Sequence, residues 1–139
     1  MIALQSRHRH GGDRAFYHPG GDYIQMPPKY CFSDPHGYYG TLLHEMAHWT
    51  GQGRVPRNMK HRFGSVPYAR EELRAEMASA FLTSMIGISE NVDQSAAYLR
   101  NWIQALQEDK YEIFRASSDA QKIADYLIAF ADSKAEAAA

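Results

Sequence analysis

Apolar and polar positions follow a two-residue rhythm at the start of this chain and a helical one after about residue 35. Ala15-Phe16-Tyr17-His18 and Asp22-Tyr23-Ile24-Gln25-Met26 are short β-prone runs parted by Pro19-Gly20-Gly21. That pattern predicts a β-hairpin. Pro27-Pro28 closes its second strand, because proline cannot donate to a ladder. Ser33-Asp34-Pro35-His36-Gly37 is a turn leading into a helix over about Pro35 to Thr50. There Leu42, Leu43, Met46, Ala47 and Trp49 put apolar residues on most sides, as in a buried helix. Gly51 is placed where a left-handed residue would end it. After a loop over 51–65, Pro67 suits the first turn of a second helix that reaches about Ile86 and stops at Gly87. Asn91 or Asp93 can cap a third helix through Leu106, with Ala97, Leu99, Trp102, Ile103 and Leu106 facing inward. Asp109 to Ala116 predicts a short helix. Ser117 or Ser118 would cap the last, with Ile123, Leu127, Ile128 and Phe130 inside.

These elements add up to an α+β fold, a mostly helical bundle carrying a small N-terminal β-hairpin, in one domain over residues 1–139. Residues 1–13 are expected to form a flexible arm and 134–139 a frayed tail. A chain of 139 residues can bury about two-thirds of its unfolded surface, enough for one core without staples. Cys31 is alone, which excludes a disulfide framework. No apolar stretch approaches the roughly 18 residues of a membrane span. The short apolar start precedes Arg7-His8-Arg9-His10, the wrong order for a secretory signal, so a cytoplasmic protein is expected.

The candidate chemistry is His44-Glu45-Met46-Ala47-His48. Histidines four apart on a helix share a face, with Cβ atoms roughly 5–6 Å apart, so both rings can reach one ion. Glu45 is turned one step around, positioned to act on a water beside that ion. A catalytic zinc needs three protein ligands. Glu71-Glu72-Leu73-Arg74-Ala75-Glu76 opens the second helix, and Glu72 and Glu76 lie four apart on the face that carries Ala75 and Ala80. Glu72 is the better third ligand, with Glu76 accepting the free N–H of a ligand histidine. Glu71 is accounted for by the helix dipole. No acid separates Gln52 from Arg70, whereas Arg54, Arg57, Lys60, Arg62 and Arg70 crowd that segment. This 54–70 basic loop is either a solvated surface or a contact for single-stranded DNA. His8, His10 and His18 are stray potential ligands.

His44-Glu45-x-x-His48 followed by Glu72-x-x-Ala75-Glu76 resembles the gluzincin pattern, in which that Glu is the third ligand. The run Tyr38-Tyr39-Gly40-Thr41-Leu42-Leu43-His44-Glu45-Met46-Ala47-His48-Trp49-Thr50-Gly51 is similar to the zincin-like metallopeptidase domain of ArdC-type antirestriction proteins and TraC-type conjugative primases. The likeness continues through Arg62-Phe63-Gly64, Tyr68 to Leu73 and Ile113-Phe114-Arg115-Ala116. It implies a zincin-like bundle holding Zn2+ at His44, His48 and Glu72, with Glu45 activating water to hydrolyse a protein or peptide substrate. It also implies a setting of antirestriction or mobile-element DNA transfer. Family members carry an N-terminal single-stranded-DNA-binding domain, missing from this sequence, so a catalytically silent, zinc-stabilised accessory domain that binds DNA or a partner protein is the alternative. In zincins an edge strand before the metal helix lines the active site, which implies Asp22 to Met26 as the strand that pairs with extended substrate, the alternative being a hairpin that simply covers one face of the bundle. Tyr38, Tyr39, His61 and Tyr68 are all available to stabilise an oxyanion, and spacing does not choose among them.

Overall fold

In the computed structural model, which describes residues 8–88 and 102–138, a small sheet precedes the helices. The strands are β1 (His8–His10), β2 (Phe16–His18) and β3 (Tyr23–Met26). The helices are α1 (Pro35–Thr50), α2 (Val66–Met85), α3 (helical over 102–108) and α4 (Glu112–Ala138). As the turn residues predict, β2 and β3 form an antiparallel hairpin, with Phe16 opposite Gln25 and His18 opposite Tyr23.

Two expectations about this sheet are corrected. His8–His10 is a strand, not part of a flexible arm, and it pairs in parallel with β3. The strand order is therefore β1-β3-β2, so Asp22 to Met26 lies at the centre and cannot be the substrate-pairing edge. The edge strands are β1 and β2. The reason is non-local. Arg9 stacks on the Tyr23 ring at 3.9 Å, and His10 Nε2 lies 2.8 Å from the Tyr38 hydroxyl, partners that local composition does not reveal.

Asp34 starts α1. Its carboxylate accepts a hydrogen bond from the Gly37 N–H at 2.8 Å, and Pro35 occupies the first turn, where its missing N–H costs nothing. The helix ends at Thr50 as expected, but Gly51 has φ −65° and is not left-handed. The Met59 side chain is laid across the helix end at Gly51, where a Cβ would oblige it to move. Gly53, at φ +80°, supplies the left-handed turn instead. Ser65 caps α2 by accepting from the Tyr68 N–H at 3.3 Å. Gly87, at φ +77°, follows its last turn.

α2 packs against α1 on one side and α4 on the other, while the sheet drops Ile24 and Met26 into the α1 side of the core. Ala75 and Ala78 are fully buried at the α1–α2 contact, and the Ser79 hydroxyl donates to the Gly40 carbonyl at 3.0 Å. Small residues let these two helices approach closely enough for side chains to share a ligand. The break expected at Ser117-Ser118 is absent. Ala116, Ala120, Ile123, Ala124 and Leu127 form one continuous buried stripe, so Glu112–Ala138 is a single helix. It carries the tail expected to fray as far as Ala138. Ile103, expected inside, is exposed, whereas Ala105 is buried. The expected start of the third helix, with Ala97 and Leu99, lies outside the described residues. No helix among the described residues is long and apolar enough to cross a membrane.

Candidate metal centre

His44 and His48 stand one turn apart on α1, and their Nε2 atoms approach to 3.1 Å. Glu72, from α2, reaches both. Its Oε2 lies 3.1 Å from His44 Nε2 and its Oε1 3.2 Å from His48 Nε2. A tetrahedral ion with bonds of about 2.0–2.1 Å wants donors roughly 3.3–3.4 Å apart. The three side chains already sit near that spacing.

The opposite ring edges decide whether a cation fits. His44 Nδ1 is 3.1 Å from Glu76 Oε2, and His48 Nδ1 is 3.0 Å from Glu71 Oε1. A carboxylate at each Nδ1 selects the tautomer with its proton there and leaves a lone pair on Nε2. Two such lone pairs and a carboxylate then converge on one point, an arrangement that repels itself until a cation enters. Among the described residues, His44, His48 and Glu72 are the group that can hold a metal ion.

Without a metal ion, protons take the cation's place, because the same carboxylates favour the protonated form of both rings. Burial pushes the His44 imidazole down, but Glu72 and Glu76 more than offset this and its pKa rises. Burial likewise opposes protonation of His48, and Glu71 and Glu72 overcome it by a wide margin. Glu72 is held far below the usual carboxylate range by the two histidines despite its own burial.

The centre opens into a cleft of about 410 Å³ between β2, the 59–63 loop and the two helices. Glu45 is buried yet lines this cleft beside His44, His48 and Glu72. Tyr68 and His61 line it too. The Tyr68 phenol is pushed up to about 12 by burial and by the charges of Glu72 and Glu45. Tyr38 and Tyr39 do not line it; they pair with His10 and Lys29 respectively. His10 meets Tyr38 of α1, His18 accepts from the Gly21 N–H in the hairpin turn, and none of His8, His10 and His18 joins the cluster.

Glu71, left to the helix dipole by its sequence position, is drawn into the cluster. It is 2% exposed, and besides His48 it holds Arg57 through both oxygens. A signal was present: Glu71, Ala75, Ala78 and Leu82 fall at i, i+4, i+7 and i+11, so Glu71 shares the buried stripe of α2. A carboxylate on such a stripe needs a partner, which the helix dipole does not provide. The basic loop is also less basic outside than its sequence suggests. Arg54 pairs with Asp22 at 2.7 Å, Arg57 with Glu71 at 2.7 Å and Arg70 with Glu112 at 3.8 Å. Lys60 and Arg62 are exposed.

Residues 1–119 match the profile of a family described as zincin-like metallopeptidase. The chain belongs to that family. This zincin-like chain is 53% identical over 124 residues to a protein named DNA primase TraC of Escherichia coli, an alignment covering 88% of the chain and 12% of that protein. A second Escherichia coli TraC is 50% identical over 120 residues, covering 86% of the chain and 8% of that protein. Uncharacterized protein y4eC of Sinorhizobium fredii strain NGR234 is 43% identical over 121 residues, covering 86% of the chain and 39% of that protein. Among solved structures, the Mn(II)-bound antirestriction protein ArdC of plasmid R388 superposes with a TM-score of 0.77 at 44% identity, over 91% of the chain and 48% of ArdC. Its metal-free form gives 0.74 at 45% identity, over 91% and 47%. The zincin-like chain thus spans less than half the length of each of these proteins.

Proposed function

We propose that this domain is a zinc-dependent peptidase in which His44, His48 and Glu72 hold the ion and Glu45 acts as the general base. The observation that carries the reading is the convergence of three donors at ionic spacing on the floor of an open cleft that Glu45 also lines. A bound zinc ion supplies Lewis acidity, lowering the pKa of water toward about 7 and polarising a carbonyl. Glu45 takes a proton from the attacking water and returns it to the leaving amine. Tyr68, kept protonated by burial and its acidic neighbours, donates to the oxygen on which charge develops. Glu76 and Glu71 orient the two imidazoles. The edge strand at the cleft is β2, so an extended peptide pairs there, beside Phe16 and Tyr17, and not along β3.

The names of the relatives support a setting in antirestriction or in DNA transfer between mobile elements. They also sustain the alternative, a catalytically silent, metal-stabilised accessory domain that contacts single-stranded DNA or a partner protein, here through Lys60 and Arg62. A structural site has no use for a base in an open cleft, and Glu45 therefore favours the peptidase. Two substitutions test the reading. Glu45→Gln should keep about one metal ion per chain while losing cleavage of unfolded casein and of a broad peptide library. His44→Ala should lose the metal. A wild-type protein that cleaves none of these substrates, yet binds single-stranded DNA in a salt-sensitive way, would overturn the peptidase reading in favour of the alternative.

A further inference from the structure

Arg57 sits in the loop between α1 and α2 with its side chain only 8% exposed, and each of its five N–H groups is engaged. Nε donates to Glu71 Oε2 at 2.7 Å, and Nη2 donates to Glu71 Oε1 at 2.9 Å. The second Nη2 hydrogen goes to the Ala47 carbonyl at 2.6 Å. Nη1 donates to the Thr50 hydroxyl and the Val55 carbonyl, both at 3.0 Å. One planar group thus ties together the last turn of α1, the loop and the buried carboxylate of α2. Glu71 Oε1 is at the same time the atom 3.0 Å from His48 Nδ1. The guanidinium therefore stands directly behind the carboxylate that orients a ligand ring.

We propose that Arg57 is a positioning residue for the metal centre. By clamping both oxygens of Glu71 it fixes the His48 imidazole and thereby sets metal affinity and coordination geometry, a role that rests on the metal-binding reading above. A carboxylate held at one oxygen can swivel about its last torsion, and the ring bonded to it follows. Clamped by a fork, it cannot. Lysine would bring the same charge without the fork, so charge alone does not meet the requirement. The bond to Ala47 adds a second constraint, because that carbonyl belongs to the residue just before His48.

The test uses the full chain, stripped of metal and titrated with Zn(II) against a chromophoric chelator, and with Co(II) followed by its visible absorption. Arg57→Leu, Arg57→Lys and Glu71→Gln should each weaken Zn(II) binding roughly ten- to hundredfold and alter the Co(II) spectrum. The double variant Arg57→Leu/Glu71→Gln should be no weaker than the worse single, since both act through one route. Arg54→Met is the control. It removes a comparable two-oxygen pair, to Asp22, and should lower the melting temperature while leaving affinity and spectrum unchanged. Should Arg57→Leu fail to fold, Arg57→Lys carries the test. Wild-type affinity and spectrum in Arg57→Lys, or additive losses in the double variant, would overturn the role of Arg57 alone. A wild-type protein that takes up neither ion would instead bring down the metal-binding reading itself.

Discussion

The Tyr68 hydroxyl, pushed up to about 12, keeps its proton across the whole pH range in which a peptidase of this kind would work. Replacing it with phenylalanine should lower kcat by roughly 10²–10³ with little change in KM, because the bond it makes strengthens only as charge develops. Steady-state kinetics on a cleaved peptide measure this, and an unchanged kcat would pass the role to His61. Single residues were legible in the sequence wherever helix geometry alone relates them. His44 with His48, and Glu72 with Glu76, follow from i, i+4 spacing on their own helices, and the packing of α2 on α1 brings the two pairs together. Glu71 was not, because its task depends on Arg57, fourteen residues away across a loop with no period. Arg54 was equally hidden: its partner Asp22 lies on the hairpin, and its guanidinium covers the Trp49 ring at 3.7 Å.

Asp34 and Pro35 set the first turn of the helix that carries His44 and His48, and the Asp34 carboxylate satisfies an N–H with no partner inside the helix. Asp34→Ala should destabilise the protein by about 1 kcal/mol in urea denaturation. Metal affinity should hardly move, since the cap lies more than two turns from His44. Elements bounded by such local signals were readable. α1 has its expected limits and α2 differs only at its ends, because Asp34, Ser65 and Gly87 act on their own neighbours. β1 and the continuity of α4 were not readable. The first depends on pairing with β3, and the second on a buried alanine stripe whose partner surface belongs to α2. Serines 117 and 118 resemble a cap until that surface is known.

Seen whole, the molecule hangs on α2. One side faces α1 through the His44–His48–Glu72 cluster, and the other faces α4 through Arg74, which bonds Glu112 and Asp119. The carboxylates of Glu45, Glu72 and Glu76 gather on the α1 side, Glu71 being matched by Arg57, so a dication there offsets their mutual repulsion. Zinc at about 100 times its Kd should stabilise the protein by about 2.7 kcal/mol, a rise in Tm on the order of 10 °C. Calorimetry with and without chelator measures it, and no shift would mean that the folded chain does not bind zinc. Hydrogen exchange should quicken first between α1 and α2 on chelation, while the α2–α4 contact holds. The seat of Met59 over Gly51 adds a liability of another kind. A thioether lying across the end of α1 also forms part of the cleft wall. Peroxide would convert it to a bulkier, polar sulfoxide, and the site should then lose activity under oxidative stress before the fully enclosed Met26 is touched. Reductase treatment should restore that activity, and Met59→Leu should be immune to the loss.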